Sequence, residues 1–277
     1  MAPVPAEYHR ALEGTVSVVA GGSSGIGRAV VERFSEQGSL VEFASNDAAG
    51  VADLERELLG NGAQVRGSVV DASVPEQVRE FMDGVAARHG RLDALVNCVG
   101  IQRYGTVEST SPETWDEVMA VNLRSMFLMA KHAVPLMREN GGGAIVNISS
   151  AQALASQRNV VAYTASKGAI VAMTRAMAVD HAPEGIRVNS ICPGSVDTPL
   201  LREAARRVAP DDPERVLAEW GSTFPIGRVA RPSEIADVAL FLVSPYSSFV
   251  TGADLRADGG LLAGVPLVAP SAATPTR

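Results

Sequence analysis

Tyr163 and Lys167 stand four residues apart in Tyr-Thr-Ala-Ser-Lys, and Ser150 precedes the tyrosine by thirteen residues. At i and i+4 the two side chains share one face of a helix. An ammonium beside a phenol favours the phenolate and lowers a pKa that otherwise sits near about 10. A serine hydroxyl brought to the same place can hydrogen-bond a substrate oxygen. The three side chains make a proton-transfer site for a carbonyl or an alcohol.

A second constellation lies near the start of the chain, in Gly21-Gly22-Ser23-Ser24-Gly25-Ile26-Gly27. It follows a short apolar run and opens a helical pattern. Glycines let backbone amides approach a pyrophosphate, and a helix N-terminus favours its charge. The spacing differs from the commoner Gly-x-Gly-x-x-Gly fingerprint, but the same physics applies. With the proton-transfer trio it points to hydride transfer with a dinucleotide. In such folds the end of the second strand reads the adenosine ribose: an acid accepts from the 2′-hydroxyl of NAD, an arginine pairs with the 2′-phosphate of NADP. Here the residues are Ser45 and Asn46, followed by Asp47, which reads as a helix cap ahead of a ribose contact. NAD and NADP both stay open, and the missing basic residues favour NAD.

These residues need elements to position them. Short β-branched runs alternate with longer helical patterns, as βαβ units and a parallel sheet require. Strands are predicted at 16–20, 40–44, 65–70, 92–97, 144–148, 187–191 and 253–257, and a strong helix at 163–180. A long helical region over 115–138 is expected to bend or break near Pro135. No linker divides the units, so residues 1–264 read as one domain, with a loose Pro/Ala/Thr-rich tail at 265–277. The charged stretch 198–220, broken by Pro210 and Pro213, interrupts the rhythm and reads as a helical lid.

Of the 277 residues, 46% are hydrophobic and 20% charged, ordinary values for a globular protein with a substantial core. A net charge of −7 argues against a nucleic-acid surface. Glu7, Arg10 and Glu13 interrupt any secretory leader, and no apolar run approaches a membrane span. Cys98 and Cys192 read as buried small side chains; neither has metal-ligand spacing, and the four histidines are scattered. The expectation is a metal-free cytoplasmic protein.

The glycine-rich turn, Asn97-Cys98-Val99-Gly100, Asn122, Ser150, Tyr163 with Lys167, and Pro193-Gly194 resemble the short-chain dehydrogenase/reductase family over roughly residues 12–262. The resemblance implies an α/β fold, a Rossmann-like doubly wound seven-stranded parallel sheet with helices on both faces. It makes Tyr163 the general acid/base, gives Lys167 the tuning of Tyr163 and a hold on the nicotinamide ribose, lets Ser150 polarise the reacting oxygen, and places Asn122 in a proton relay. Asp71 and Ala72 match the adenine-contacting stretch, Asn97 and Gly100 the adenosine side, and Pro193, Gly194, Val196 and Thr198 the nicotinamide grip. Ala20 replaces a usual threonine, and Cys98 and Val99 replace a usual Asn-Ala; both changes touch the adenosine side alone.

Gln102, Arg103, Gln152, Gln157, Arg158 and Asn159 are expected near the catalytic set, with Trp220 closing the lid. That lining is polar and suits a sugar, sugar acid or similar polyol oxidised at a secondary alcohol. Arg103 or Arg158 either pairs with a substrate carboxylate or is a solvated surface group. The alternatives are a 3-ketoacyl-thioester reductase and, from another class, a non-catalytic dinucleotide-binding sensor. The partner is a small molecule, and the resemblance implies a homodimer or homotetramer joined through helices that include Tyr163's; small residues across 169–178 would let another helix approach.

Overall fold

The computed structural model describes residues 10–264, and the tail at 265–277 and Glu7 lie outside the described residues. The β-branched runs form β1 (Val16–Ala20), β2 (Leu40–Ser45), β3 (Val65–Val69), β4 (Ala94–Asn97), β5 (Gly143–Ile148), β6 (Ile186–Pro193) and β7 (Asp254–Ala257). They pair in the order β3-β2-β1-β4-β5-β6-β7, every pair parallel. The order reverses between β1 and β4. At that point the crossovers diverge and leave a crevice beyond the carboxyl ends of the strands, where such sheets bind ligands.

The intervening patterns fold as α1 (Gly25–Glu36), α2 (Ala48–Gly60), α3 (Pro75–His89), α4 (Pro112–Met119), α5 (Ser125–Glu139), α6 (Val161–His181), α7 (Pro199–Val208), α8 (Pro213–Ser222) and α9 (Pro232–Val243). Successive strand residues point to opposite faces. Val19, Val96 and Val146 therefore pack with Val30 and Phe34 of α1, Leu54 of α2 and Ile235 of α9. Their neighbours Val18, Leu95 and Ile145 pack with Met82 of α3 and Met129 of α5 on the other side. Both faces are covered, which is why these strands read as apolar runs without alternation.

Glu42 in β2 breaks that run and is fully buried. The Arg88 guanidinium donates to both of its oxygens at 2.8 and 2.9 Å, and His89 Nε2 lies 2.8 Å from the carboxylate. A forked guanidinium satisfies a buried carboxylate that would otherwise be prohibitive.

The expected break near Pro135 is not found. Pro135 lies inside a continuous α5, and the irregularity falls earlier, in a single π turn at Ala120–Arg124. The wider i→i+5 turn carries Asn122, and π turns of this kind commonly stand at functional sites. The stretch between β6 and α9 forms α7 and α8. Thr198 caps α7 by accepting from Leu201 N at 3.3 Å. Arg202 ties α7 to Asp197 at 2.6 and 2.8 Å and to Glu214 of α8 at 2.7 Å.

Candidate active site

The glycine-rich turn leaves β1 and enters α1. Gly21 N and Gly22 N both donate to Ala44 O, at 2.7 and 3.1 Å. Gly21 adopts φ +80 and Gly25 φ +53, left-handed conformations that glycine reaches without strain. At Gly27 space decides: a Cβ there would fall 2.0 Å from Gly21 O. Ser24 caps α1 without a side-chain hydrogen bond, and the first turn holds no acid. Its leading amides are free for an anion, so the turn fits a dinucleotide pyrophosphate.

Around this turn, Ser23 is buried and donates to Ser45 Oγ at 2.7 Å, and Ser45 Oγ accepts from Asp47 N at 3.2 Å. Asp47 caps α2 through Gly50 N at 3.1 Å, as its position suggested. Asn46 is exposed beside it. Asp71 Oδ1 accepts from Ser73 N and Ser73 Oγ at 2.9 and 2.7 Å, and Ala72 is buried next to it. Asn97 is buried at the end of β4, and its Nδ2 donates to Asn147 Oδ1 at 2.9 Å.

Ser150 follows β5 and lies across from α6. Its Oγ accepts from Gln152 N at 3.1 Å and hydrogen-bonds Tyr163. Ser149 points elsewhere, its hydroxyl donating to Lys167 O at 2.8 Å. Lys167 Nζ lies 5.5 Å from the centre of the Tyr163 ring and donates to Ile148 O at 2.9 Å. The π turn holds Asn122 under the same helix. Asn122 Oδ1 accepts from Ile101 N at 2.7 Å, and its Nδ2 donates to Ile101 O at 2.9 Å and Ser166 Oγ at 3.0 Å. Ser166 Oγ in turn donates to Tyr163 O at 2.7 Å. It couples Asn122 to the tyrosine's helix, a role hidden in sequence because a serine inside an apolar helix has no distinguishing pattern. A Cβ on Gly100 would come within 3.4 Å of Lys167 Nζ, so β4 leads straight to the amine.

The electrostatics differ from the expectation of a phenol lowered by its neighbour. Burial pushes the Tyr163 phenol up, and the Ser150 hydrogen bond offsets this in part. Burial also pulls Lys167 down, to about 8. Both groups are buried, and desolvation is the largest cause of each shift. Tyr163 rests protonated, the form that donates. Cys98 borders the amine, and burial raises its thiol to about 12, leaving it inert.

Ser150, Tyr163 and Lys167 open into a cavity of about 940 Å³ bounded by Ile26, Pro193, Gly194, Val196 and Thr198 on one side and by α7 and α8 on the other. Thr198 faces the turn closely enough that a Cβ on Gly25 would meet its methyl at 3.1 Å. Gln102 and Gln152 line the cavity, and Gln152 Oε1 is buried with no partner among the described residues. Arg103 and Arg158 do not line it. Arg103 forks onto Glu117 at 2.6 and 2.9 Å on the surface, and Arg158 is exposed. The cation at the mouth is Arg207, and the lining is more apolar than expected, with Leu200, Leu201, Val208, Trp220 and Phe224. Loop residues carry no periodicity that fixes their direction, so sequence alone misplaced these contacts. Among the described residues no cluster of His, Cys, Asp or Glu suits a metal, and no helix is long and apolar enough to cross a membrane.

A turn for a pyrophosphate beside a Ser-Tyr-Lys set, its tyrosine and lysine buried, defines a class of dehydrogenase. The family model described as enoyl-(acyl carrier protein) reductase matches residues 20–262. D-threitol dehydrogenase of Mycolicibacterium smegmatis is 36% identical, covering 90% of this chain and 93% of that protein. The 3-oxoacyl-[acyl-carrier-protein] reductase FabG of Thermotoga maritima is 34% identical, covering 91% and 99%. The ligand-free structure of aldohexose dehydrogenase from Thermoplasma acidophilum superposes with a TM-score of 0.87 at 37% identity, covering 95% and 99%. The chain belongs to the short-chain dehydrogenase/reductase family. It is an NAD(P)-dependent oxidoreductase acting on CH–OH groups of a small molecule, which sets the sensor reading aside.

Proposed function

We propose that the protein interconverts a secondary alcohol and a ketone on a hydroxylated substrate of the sugar or polyol class. The observation that carries this is the convergence of Ser150, Tyr163 and Lys167 on one cavity wall next to the glycine-rich turn. Tyr163 exchanges the proton with the substrate oxygen, and Ser150 orients that oxygen by hydrogen bonding. Lys167 and the Asn122–Ser166 pair hold the tyrosine's surroundings and link them to the backbone at Ile148 and Ile101. Bound in the crevice, the nicotinamide supplies or accepts the hydride. Gly21 to Gly27, Ser45, Asn46, Asp71, Ala72, Asn97 and Gly100 hold its adenosine and phosphate end. Pro193, Gly194, Val196 and Thr198 grip the nicotinamide, with Gln102 and Gln152 reserved for substrate hydroxyls.

Similarity to a threitol and an aldohexose dehydrogenase supports the polyol class. NAD is the preferred dinucleotide in this reading, since no arginine or lysine stands at Ser45 or Asn46. Residues 1–264 form one domain that works as a cytoplasmic homo-oligomer, with α7 and α8 as its lid. The second reading is reduction of a 3-ketoacyl thioester, favoured by the apolar lid residues and the similarity to FabG. Initial rates on alditols and aldoses with NAD, set beside acetoacetyl-CoA reduction with NADPH, decide between them. Faster thioester reduction would replace the polyol reading.

A further inference from the structure

Of the described residues that line the cavity, none is Asp or Glu, and two are cations, Lys167 and Arg207. Lys167 lies at the floor, bonded to Ile148 O. Arg207 projects from α7 on the opposite wall, its guanidinium 5.6 Å from the centre of the Tyr104 ring, which also lines the cavity. The aromatic face supports the guanidinium without satisfying its hydrogen-bond donors. Its one recorded hydrogen bond runs from Nε to Glu203, at 3.2 Å and one helical turn back. The two terminal nitrogens have no recorded partner among the described residues. They form the fork that grips a carboxylate through two parallel bonds. Nearer the catalytic set, Gln152 lines the cavity and its buried Oε1 has no hydrogen-bond partner among the described residues, so a rotation of this side chain would offer it to a hydroxyl. The cavity thus offers a hydroxyl acceptor near the catalytic set and, at its far rim, a guanidinium that pairs with Glu203 through Nε and keeps its two terminal nitrogens for a second carboxylate.

Resting on the polyol reading above, we propose that Arg207 selects a carboxylate on the substrate, and that the substrate is therefore a hydroxylated carboxylic acid rather than a neutral polyol. The acid group is recognised and not consumed. In the oxidative direction Tyr163 first loses its phenolic proton to solvent; the substrate's hydroxyl proton then passes to the phenolate as the carbinol C–H bond breaks and its hydride passes to the nicotinamide, and an oxo acid leaves.

The test compares initial rates, with NAD and with NADP, on D-threonate and D-gluconate against threitol and D-glucitol. D-glucitol 6-phosphate is run as a further anion. In the wild type kcat/KM is higher for the aldonates by at least about tenfold, the scale of one charge-assisted bond. In Arg207→Gln that ratio falls by about tenfold or more, through KM, and Arg207→Lys restores part of it. Added salt raises KM for the aldonates and not for the alditols. NADH affinity measured in each variant reports that it is folded. A ratio unchanged in Arg207→Gln, or a wild type that prefers the alditols, overturns the assignment and leaves the polyol reading standing. A preference for the phosphate ester overturns the choice of carboxylate. Turnover of none of these compounds, with dinucleotide binding intact, overturns the polyol reading and this proposal with it.

Discussion

Replacing Lys167 by methionine separates the structural cost of the buried amine from its chemistry. Lys167 is 4% exposed and, among the described residues, has no carboxylate beside it in the cavity lining and donates to one backbone carbonyl. Burial lowers its pKa from 10.5 to about 8. At about 1.4 kcal/mol per pH unit, holding the ammonium charged costs folding about 3 kcal/mol. Below pH 8 the lysine is charged in both the folded and unfolded chain, and the cost is present in full. As pH rises from about 8 to 10.5 the folded protein releases the proton while the unfolded chain keeps it, so wild-type stability rises relative to the variant. The bond to Ile148 O is lost in Lys167→Met at every pH, so it displaces the curve without bending it. Urea unfolding of both proteins at fixed protomer concentration, from pH 7 to 10.5, gives the difference directly. It should shift by about 3 kcal/mol in favour of the wild type across that window. A difference that stays flat with pH would refute the reasoning that desolvation governs this amine.

Three further substitutions follow from the same geometry. Glu42→Ala leaves the part-exposed Arg88 guanidinium without its carboxylate and should cost about 1–3 kcal/mol in denaturant unfolding, whereas an unchanged unfolding midpoint would mean that the pair contributes little. Gly27→Ala drives a methyl to 2.0 Å from Gly21 O and should lower stability by about 1–3 kcal/mol while weakening NADH binding at least tenfold by fluorescence titration; unchanged affinity would place the pyrophosphate elsewhere. Asn122→Ala leaves the amide and carbonyl of Ile101 without their side-chain partner, so kcat should fall about tenfold or more and thermal stability should drop with it; wild-type kcat would remove Asn122 from the site.

The parts of the fold that the sequence made legible are those in which one physical requirement dominates. β1, β4 and β5 are buried on both faces, so their apolar runs could scarcely be anything else. The glycine-rich turn was readable because Gly27 has no room for a methyl. The Ser150–Tyr163–Lys167 spacing was readable because a helix fixes i to i+4. Legibility failed where long-range packing sets the outcome. Pro135 was expected to bend or break a helix that runs unbroken past it, and the π turn that aims Asn122 leaves no mark in residue types. Arg103 was drawn away to Glu117, and Arg207 was brought in by α7, which packs on α8 through Ala205, Val216 and Leu217 and is bridged to Asp197 and Glu214 by Arg202. The apolar side of the cavity comes from the same excursion, so its character was invisible to a reading of the residues flanking Tyr163.

The central claim is that Tyr163 transfers the proton while other residues hold the dinucleotide. Tyr163→Phe removes one hydroxyl and keeps the ring that packs over Lys167. Turnover and NADH affinity, measured on the same preparation, test the claim most directly. The account predicts a fall in kcat of about a hundredfold or more, the scale of positioned acid–base catalysis, with the NADH Kd changed by less than about twofold. A variant that turns over at the wild-type rate would contradict it.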